Sequence, residues 1–211
     1  MTLVGRHRSP LNPSSGPPLL VLLHGLAADE NDLIGIASDL DPRFHVVSLR
    51  APYEAGYGGY AWFDLQFLPD GRRLMDQKQA VASLDIIISD LIELIETISP
   101  SRVVIAGFSQ GAMMAAGVVL NRPELVHGAW LMSSRYLPAL DPRSSPARIL
   151  PVYMQHGLED QVLRVSEGRE LAEVLTRRGH IVAFDEYAMG HETNYQSLMD
   201  ADLWLRVLIG G

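Results

Sequence analysis

The chain has 211 residues, 47% of them hydrophobic and 20% charged, which is enough to bury one sizeable core, and we expect a single α/β domain over 1–211. A formal net charge of -8 without Lys/Arg-rich runs argues against a nucleic-acid-binding surface. No cysteine is present, which excludes disulfide scaffolds, thiolate nucleophiles and cysteine-ligated zinc.

The first segment, residues 1–18, is rich in Pro and Ser and contains no long apolar stretch. It has neither the hydrophobic core of a secretory signal nor a membrane span, so we expect a cytoplasmic protein without stable membrane insertion. Within this segment, residues 2–6 (TLVGR) are the candidate for an early antiparallel edge strand.

Short apolar runs that stop at polar or glycine-containing loops recur along the chain and predict buried parallel strands. Between these runs, apolar residues at helical spacing predict helices, most clearly over 76–98. The alternation predicts an α/β fold with a mainly parallel sheet and helices on both faces, in which ligands gather at the carboxyl ends of the strands. The predicted strands are 19–23, 44–49, 102–106, 127–132, 150–155 and 180–187, and the other predicted helices are 112–120, 165–178 and 193–209.

Two long loops interrupt this alternation. Residues 51–75 are glycine-rich and aromatic, and residues 134–149 contain three prolines. Both loops follow predicted strand ends, so they are candidates for the walls of a pocket.

Ser109 stands in the motif GFSQG, between the predicted strand 102–106 and the predicted helix 112–120. This strand–turn–helix context is typical of a nucleophile elbow, and Gly107 and Gly111 leave room for the close chain approach that such a turn requires. The alternative is a serine that only caps the helix.

A serine hydroxyl needs a base to take its proton, and His191 is the histidine in the loop after the last predicted strand. His24 and His156 also follow strands, but each is followed by glycine, and we interpret both as structural.

The histidine needs an acid to orient it, and Asp160 follows the strand 150–155 at the same edge of the sheet. The resulting chain order of Ser, Asp and His is that of α/β-hydrolases. Asp185 and Glu159 are the alternatives, although Asp185 is predicted to lie within its strand.

Acyl transfer also requires donors for the oxyanion, and we predict the backbone N–H groups of Leu26 and Gln110. Because both donors are backbone groups, we expect their side chains to matter less. The candidate substrate-binding residues are Trp62, Phe63 and Leu163. The aromatic pair either lines an acyl pocket or anchors its loop to the core.

We expect no metal and no cofactor, because acyl transfer to a serine needs neither. Asp29, Glu30 and Asp32 are interpreted as turn and helix N-terminal residues.

Six motifs in order along the chain resemble those of the bacterial phospholipase/carboxylesterase family, to which acyl-protein thioesterases and lysophospholipases are related. The resemblance implies a compact α/β-hydrolase without a large lid domain, with its triad on Ser109, Asp160 and His191. The sequence departs from the family pattern at Ala112 and in SSRYLP (133–138), which lies near the expected pocket. The motifs are LLHGLAADEND (22–32), RAPY (50–53), AWFD (61–64), AGFSQGAMMA (106–115), HGLEDQV (156–162) and MGHE (189–192).

These features predict a serine hydrolase of carboxylic esters or thioesters, acting on a small or acyl-chain substrate through an acyl-enzyme intermediate. We expect a monomer or homodimer. The alternative is a ligand-binding protein that keeps the fold and pocket without turnover.

Overall fold

The computed structural model describes residues 1–12, 15–56, 58–68, 73–142 and 148–210. Parts of the loops 51–75 and 134–149 and of the Pro/Ser-rich segment therefore lie outside the described residues. The strands are β1 (Gly5–Arg8), β2 (Leu19–Leu23), β3 (His45–Leu49), β4 (Tyr53–Glu54), β5 (Tyr60–Ala61), β6 (Leu65–Phe67), β7 (Arg73–Met75), β8 (Val103–Phe108), β9 (Gly128–Met132), β10 (Pro151–Gly157) and β11 (Ile181–Tyr187). The α-helices are α1 (Gln77–Ile98), α2 (Gln110–Asn121), α3 (Val165–Arg177) and α4 (Tyr195–Leu208), with short 3-10 helices at Leu33–Asp39, Pro123–Leu125 and Pro138–Leu140.

A seven-stranded sheet in the order β1-β3-β2-β8-β9-β10-β11 organises the fold. All neighbouring pairs from β3 to β11 are parallel, and only β1 runs antiparallel, against β3. The central strands are buried on both faces, which explains why they appear in the sequence as continuous apolar runs. The two short hairpins β4–β5 and β6–β7 lie outside this sheet.

Two hydrophobic clusters cover the two faces of the sheet. Helices α1, α2 and α3 pack on one face through residues such as Leu91 and Leu171. The 3-10 helix Leu33–Asp39 and α4 pack on the other face, where Leu205 is fully buried. The prediction of a mainly parallel sheet with helices on both faces is confirmed, and the described residues include no large lid domain.

The edge strand differs from the prediction over residues 2–6, because β1 spans Gly5–Arg8. The N–H groups of Thr2 and Leu3 donate to the carboxylate of Asp90 in α1, at 2.7 and 2.8 Å, instead of to a neighbouring strand. This contact takes the first residues away from the sheet and delays the start of the strand.

The helices begin and end close to the predicted positions because their caps are local. Asp76 caps α1 by accepting hydrogen bonds from the N–H groups of Lys78 and Gln79. After α3, Gly179 adopts a φ of 93°, the left-handed conformation for which glycine is suited.

Candidate active site

Ser109 lies in the sharp turn between β8 and α2, with φ 53° and ψ -116°. Two glycines make this turn possible, because a Cβ at Gly107 would overlap the backbone of Gly111, and a Cβ at Gly111 would overlap the carbonyl of Leu23. The N–H of Ser109 donates to the carbonyl of Met132 at 2.9 Å, which ties the turn to β9. The turn therefore presents the hydroxyl at the carboxyl edge of the sheet.

A chain of hydrogen bonds joins Ser109, His191 and Asp160. His191 Nε2 lies 3.1 Å from Ser109 Oγ, and His191 Nδ1 lies 2.6 Å from Asp160 Oδ2. The second oxygen of Asp160 accepts from the N–H groups of Val162 and Leu163, at 2.8 and 2.7 Å. These bonds fix the carboxylate, and the carboxylate fixes the imidazole with a free Nε2 toward the serine.

The alternative acids lie elsewhere. Asp185 Oδ2 accepts from the hydroxyl of Tyr153 at 2.8 Å, and Glu159 is exposed. Among the described residues, the carboxylate that pairs with His191 is that of Asp160.

The histidines that we interpret as structural are fully buried and hydrogen-bonded. His24 Nδ1 donates to the carbonyl of Gly25 at 2.6 Å, while His24 Nε2 accepts from the N–H of Ala51 at 3.0 Å. Burial lowers the pKa of His24 and so favours the neutral ring that this pairing requires. His156 Nε2 donates to the carbonyl of Leu163 at 2.8 Å.

Ser109 and His191 open onto a cavity of about 350 Å³, whose walls are mainly apolar. Both long loops contribute to it, residues 51–75 through Phe63, Leu65, Arg73 and Met75, and residues 134–149 through Arg135. The remaining lining residues are Gly25, Leu26, Ala28, Asp32, Phe108, Gln110, Met113, Val162 and Leu163.

The proposed oxyanion donors, Leu26 and Gln110, both line this cavity beside Ser109. The Gln110 side chain, which we expected to matter less than its backbone N–H, makes two hydrogen bonds to the loop 51–75. Its Oε1 accepts from the N–H of Trp62 at 3.0 Å, and its Nε2 donates to the carbonyl of Phe63 at 2.8 Å. Gln110 thus ties the loop 51–75 to the start of α2, over a sequence separation that no local pattern reveals.

The three candidate substrate-binding residues do not share one position. Phe63 and Leu163 line the cavity, whereas Trp62 is fully buried and is not among the described lining residues. The indole Nε1 of Trp62 donates to the carbonyl of His24 at 2.9 Å. The geometry therefore gives Trp62 the anchoring role rather than a place on the pocket wall.

Two of the three acidic residues in the loop after β2, Asp29 and Glu30, have hydrogen-bond partners within the protein. Asp29 Oδ1 accepts from the N–H of Asn31 at 2.8 Å, as in a local turn. Glu30 binds the guanidinium of Arg50 through both oxygens, at 2.5 and 2.6 Å, and these hydrogen bonds lower the pKa of Glu30. Asp32 is exposed and occupies the N-cap position of the 3-10 helix Leu33–Asp39, without a side-chain capping hydrogen bond. Within the described ranges, no three His, Asp or Glu side chains are grouped as metal ligands would be.

A mainly parallel sheet, a serine in a sharp strand–turn–helix elbow and an Asp–His–Ser hydrogen-bond chain at the carboxyl edge together define an α/β-hydrolase fold. A model of the phospholipase/carboxylesterase family matches residues 12–209, and the chain belongs to that family. The resemblance inferred from the six motifs is thereby confirmed.

Individual relatives agree with this membership. Acyl-protein thioesterase 1 of Gibberella zeae is 32% identical over 120 residues, which cover 54% of this chain and 51% of that protein. The chain thus aligns with about half the length of that relative. The crystal structure of esterase PE8 superposes with a TM-score of 0.87 at 26% identity, covering 99% of this chain and 100% of that one. The carboxylesterase of Bacillus cereus shares the fold, with a TM-score of 0.82 at 22% identity over 98% of this chain and 95% of its own.

In the part of the chain that the structure describes, no helix has the length and hydrophobicity needed to cross a lipid bilayer.

Proposed function

We propose that the protein is a serine hydrolase that cleaves carboxylic ester or thioester bonds through an acyl-enzyme intermediate. The observation that carries this proposal is the Asp160–His191–Ser109 hydrogen-bond chain, with contacts of 2.6 and 3.1 Å, opening onto a mainly apolar cavity. An apolar wall suits an acyl chain. The polar groups of the hydrogen-bond chain converge on Ser109 Oγ, the atom that would attack the substrate carbonyl.

In the first half-reaction, His191 Nε2 takes the proton of Ser109 as Oγ attacks the acyl carbonyl. The carbonyl oxygen becomes an oxyanion, which the backbone N–H groups of Leu26 and Gln110 stabilise by hydrogen bonds. The tetrahedral intermediate collapses, the bond to the alcohol or thiol breaks, and His191 returns the proton to the leaving group.

In the second half-reaction, His191 takes a proton from water, and the resulting hydroxide attacks the acyl-serine carbonyl. Collapse of the second intermediate releases the carboxylic acid and restores the hydroxyl of Ser109. Asp160 stays ionised throughout and stabilises the imidazolium that forms in both steps.

The relatives support the same bond type, because the matching proteins are named acyl-protein thioesterase and esterase. Fold alone does not determine the acyl group, so the substrate class rests on the cavity of this chain.

Replacing Ser109 by Ala tests the proposal. We expect kcat/KM for a short p-nitrophenyl ester to fall by about 10⁴ to 10⁶, because the nucleophile is removed. Circular dichroism should show an unchanged fold. If Ser109→Ala kept near wild-type turnover, Ser109 would not be the nucleophile.

A fluorophosphonate probe provides an independent measurement. We expect one adduct by intact-mass analysis, mapping to Ser109 and absent from Ser109→Ala. A folded wild-type protein that takes up no label would favour a non-catalytic binding protein.

The choice of acid has a matched pair of variants. We expect Asp160→Asn to lower kcat by about 10⁴, as loss of the orienting carboxylate does in other triads, whereas Asp185→Asn should retain most activity. Equal effects of the two substitutions on kcat would contradict the role given to Asp160.

A further inference from the structure

Two arginines stand in the wall of a cavity that is otherwise mainly apolar. Arg73 and Arg135 both line it, and they come from the two long loops that interrupt the alternation of strands and helices. Arg135 belongs to SSRYLP, the segment in which this sequence departs from the family pattern. A charged group at such a wall needs an explanation, because desolvating a guanidinium is unfavourable unless it is paired.

Both arginines converge on a single carboxylate, that of Glu167 in the first turn of α3. Arg73 Nη1 lies 3.1 and 3.3 Å from the two Glu167 oxygens, and Arg135 Nη1 lies 3.0 Å from Oε1. The same carboxylate also accepts from the N–H of Arg164, the N-cap residue of α3, at 3.1 Å. One negative charge therefore serves two positive charges, and the cluster carries a net charge of about +1.

The Arg135 guanidinium has donor capacity to spare. Its Nε is buried and makes no hydrogen bond to any described residue. The side chains of Arg73, Arg135 and Glu167 keep 21, 26 and 22% of their surface exposed, so the cluster remains open to a ligand. The excess positive charge of this partly exposed cluster at the cavity wall favours an anionic partner.

The other acidic side chain of the cavity does not neutralise this cluster. Asp32 lines the cavity from the loop that carries Leu26. None of the ion pairs between described residues joins Asp32 to Arg73 or Arg135. The excess positive charge thus stays on the wall formed by Arg73 and Arg135.

We propose that Arg73 and Arg135 bind a carboxylate carried by the substrate, so that the cavity selects short esters or thioesters with an anionic end. This inference rests on the proposed hydrolase function. Glu167 shows that the two guanidinium groups are placed to share a carboxylate, and arginine binds carboxylates with its planar fork of donors. A volume of about 350 Å³ is near the lower limit for ligand pockets and favours a short chain.

The carboxylate can belong to the acyl group or to the leaving group, and two matched substrate pairs separate these sources. Monoethyl glutarate against ethyl valerate places the charge on the acyl side. 3-Carboxyphenyl butyrate against phenyl butyrate places it on the leaving group. We expect wild-type kcat/KM to favour the anionic ester in one of the two pairs, and that pair identifies the source.

Arg135→Gln tests the guanidinium. We expect the ratio of kcat/KM for the anionic ester to that for its neutral partner to fall about tenfold, because a charged hydrogen bond is lost. Arg102→Gln is the matched control, since Arg102 is exposed and lies at the amino end of β8, away from the cavity. It should leave the ratio unchanged.

Glu167→Gln separates a binding role from a structural one. Glutamine can still accept a hydrogen bond from the N–H of Arg164, but it removes the charge that competes for the two arginines. We expect the anionic-to-neutral ratio to rise. A purely structural ion-pair cluster predicts no rise, together with a loss of activity on both esters.

A second readout does not depend on turnover. For the substrate pair that identifies the source, the Ser109→Ala protein should bind the anionic product at least tenfold more tightly than its matched partner by calorimetry: glutarate against valerate for the acyl side, or 3-hydroxybenzoate against phenol for the leaving group. Arg135→Lys should weaken that preference while retaining the charge. Equal binding within that pair of products, no preference for the anionic ester in either substrate pair, or a kcat/KM ratio that Arg135→Gln does not change would overturn the anionic subsite. If ester hydrolysis still depended on Ser109, the proposed hydrolase function would hold without the anionic subsite. Activity retained by Ser109→Ala would instead contradict the proposed function itself.

Discussion

In the candidate site, Gly111 is the position at which an added side chain would cause the most severe overlap. Because a Cβ there would overlap the Leu23 carbonyl, Gly111→Ala must displace either β2 or the start of α2. We expect a loss of about 1–3 kcal/mol in unfolding free energy and a fall in kcat/KM of about 10²-fold, since Gln110 and Ser109 move with that turn.

Urea unfolding and ester hydrolysis measure these two effects. Gly117→Ala, in the same helix, is the matched control, because its Cβ would meet only side-chain atoms of Leu140 and Leu84. Helix propensity favours alanine there by up to about 1 kcal/mol. If Gly111→Ala and Gly117→Ala changed the unfolding free energy and kcat/KM equally, steric overlap at Gly111 would not explain the effect.

At the same scale, the sequence was sufficient to predict Ser109, His191 and Asp160 as neighbours, because the carboxyl ends of parallel strands meet at one edge. Strand geometry also explains why Asp185 does not compete, since its side chain leaves the strand toward Tyr153. The side-chain contacts of Gln110 and the Arg135–Glu167 pair were not predictable, because they join segments that are distant in sequence.

Among the larger elements, the loop after β2 is held in place by the Glu30–Arg50 pair, with the Arg50 guanidinium also 4.6 Å from the ring centre of Tyr60. We expect Glu30→Gln to reduce the unfolding free energy by about 1.5–3 kcal/mol at pH 7, because a charge-assisted pair is lost. The same loop carries Leu26, so oxyanion stabilisation should weaken as well.

The effect of Glu30→Gln should depend on pH in a defined direction. The folded-state pKa of Glu30 lies below its usual 4.5, so its ionised form contributes stability that is fully present above pH 4.5. That contribution is lost as the pH falls through the lowered folded-state pKa. The difference in unfolding free energy between the wild type and Glu30→Gln, measured by urea unfolding from pH 7 to pH 3, should therefore decrease at acidic pH.

Glu173→Gln is the comparison for this experiment, because its pair with Arg177 is exposed and should contribute less than about 1 kcal/mol. If the difference in unfolding free energy between wild type and Glu30→Gln stayed constant with pH, ionisation of Glu30 would not contribute to stability as proposed.

The elements also show where sequence patterns suffice. Apolar runs located β2, β3, β8, β9, β10 and β11 to within one or two residues, and five of these six strands, all except the edge strand β11, are largely buried. The edge strand β1 was misplaced, because its start depends on Asp90, a residue more than eighty positions away.

For the whole molecule, the sheet has one hydrophobic cluster on each face, and every buried strand contributes to both. We expect Leu91→Ala on one face and Leu205→Ala on the other each to cost about 2–5 kcal/mol, because both side chains are fully buried. Urea titrations followed by tryptophan fluorescence and by far-UV circular dichroism should coincide for each variant. Separate transitions for the two faces would show that the clusters unfold independently.

The backbone of Ser109 links these scales. Its φ of 53° and ψ of -116° lie in a region of backbone conformation that favours glycine. This conformation costs a residue with a side chain about 1–3 kcal/mol. A glycine at position 109 would relieve that strain and carry no hydroxyl. We therefore expect Ser109→Gly to raise the unfolding free energy while removing the hydroxyl that we propose as the nucleophile, so stability and catalysis place opposite demands on this position.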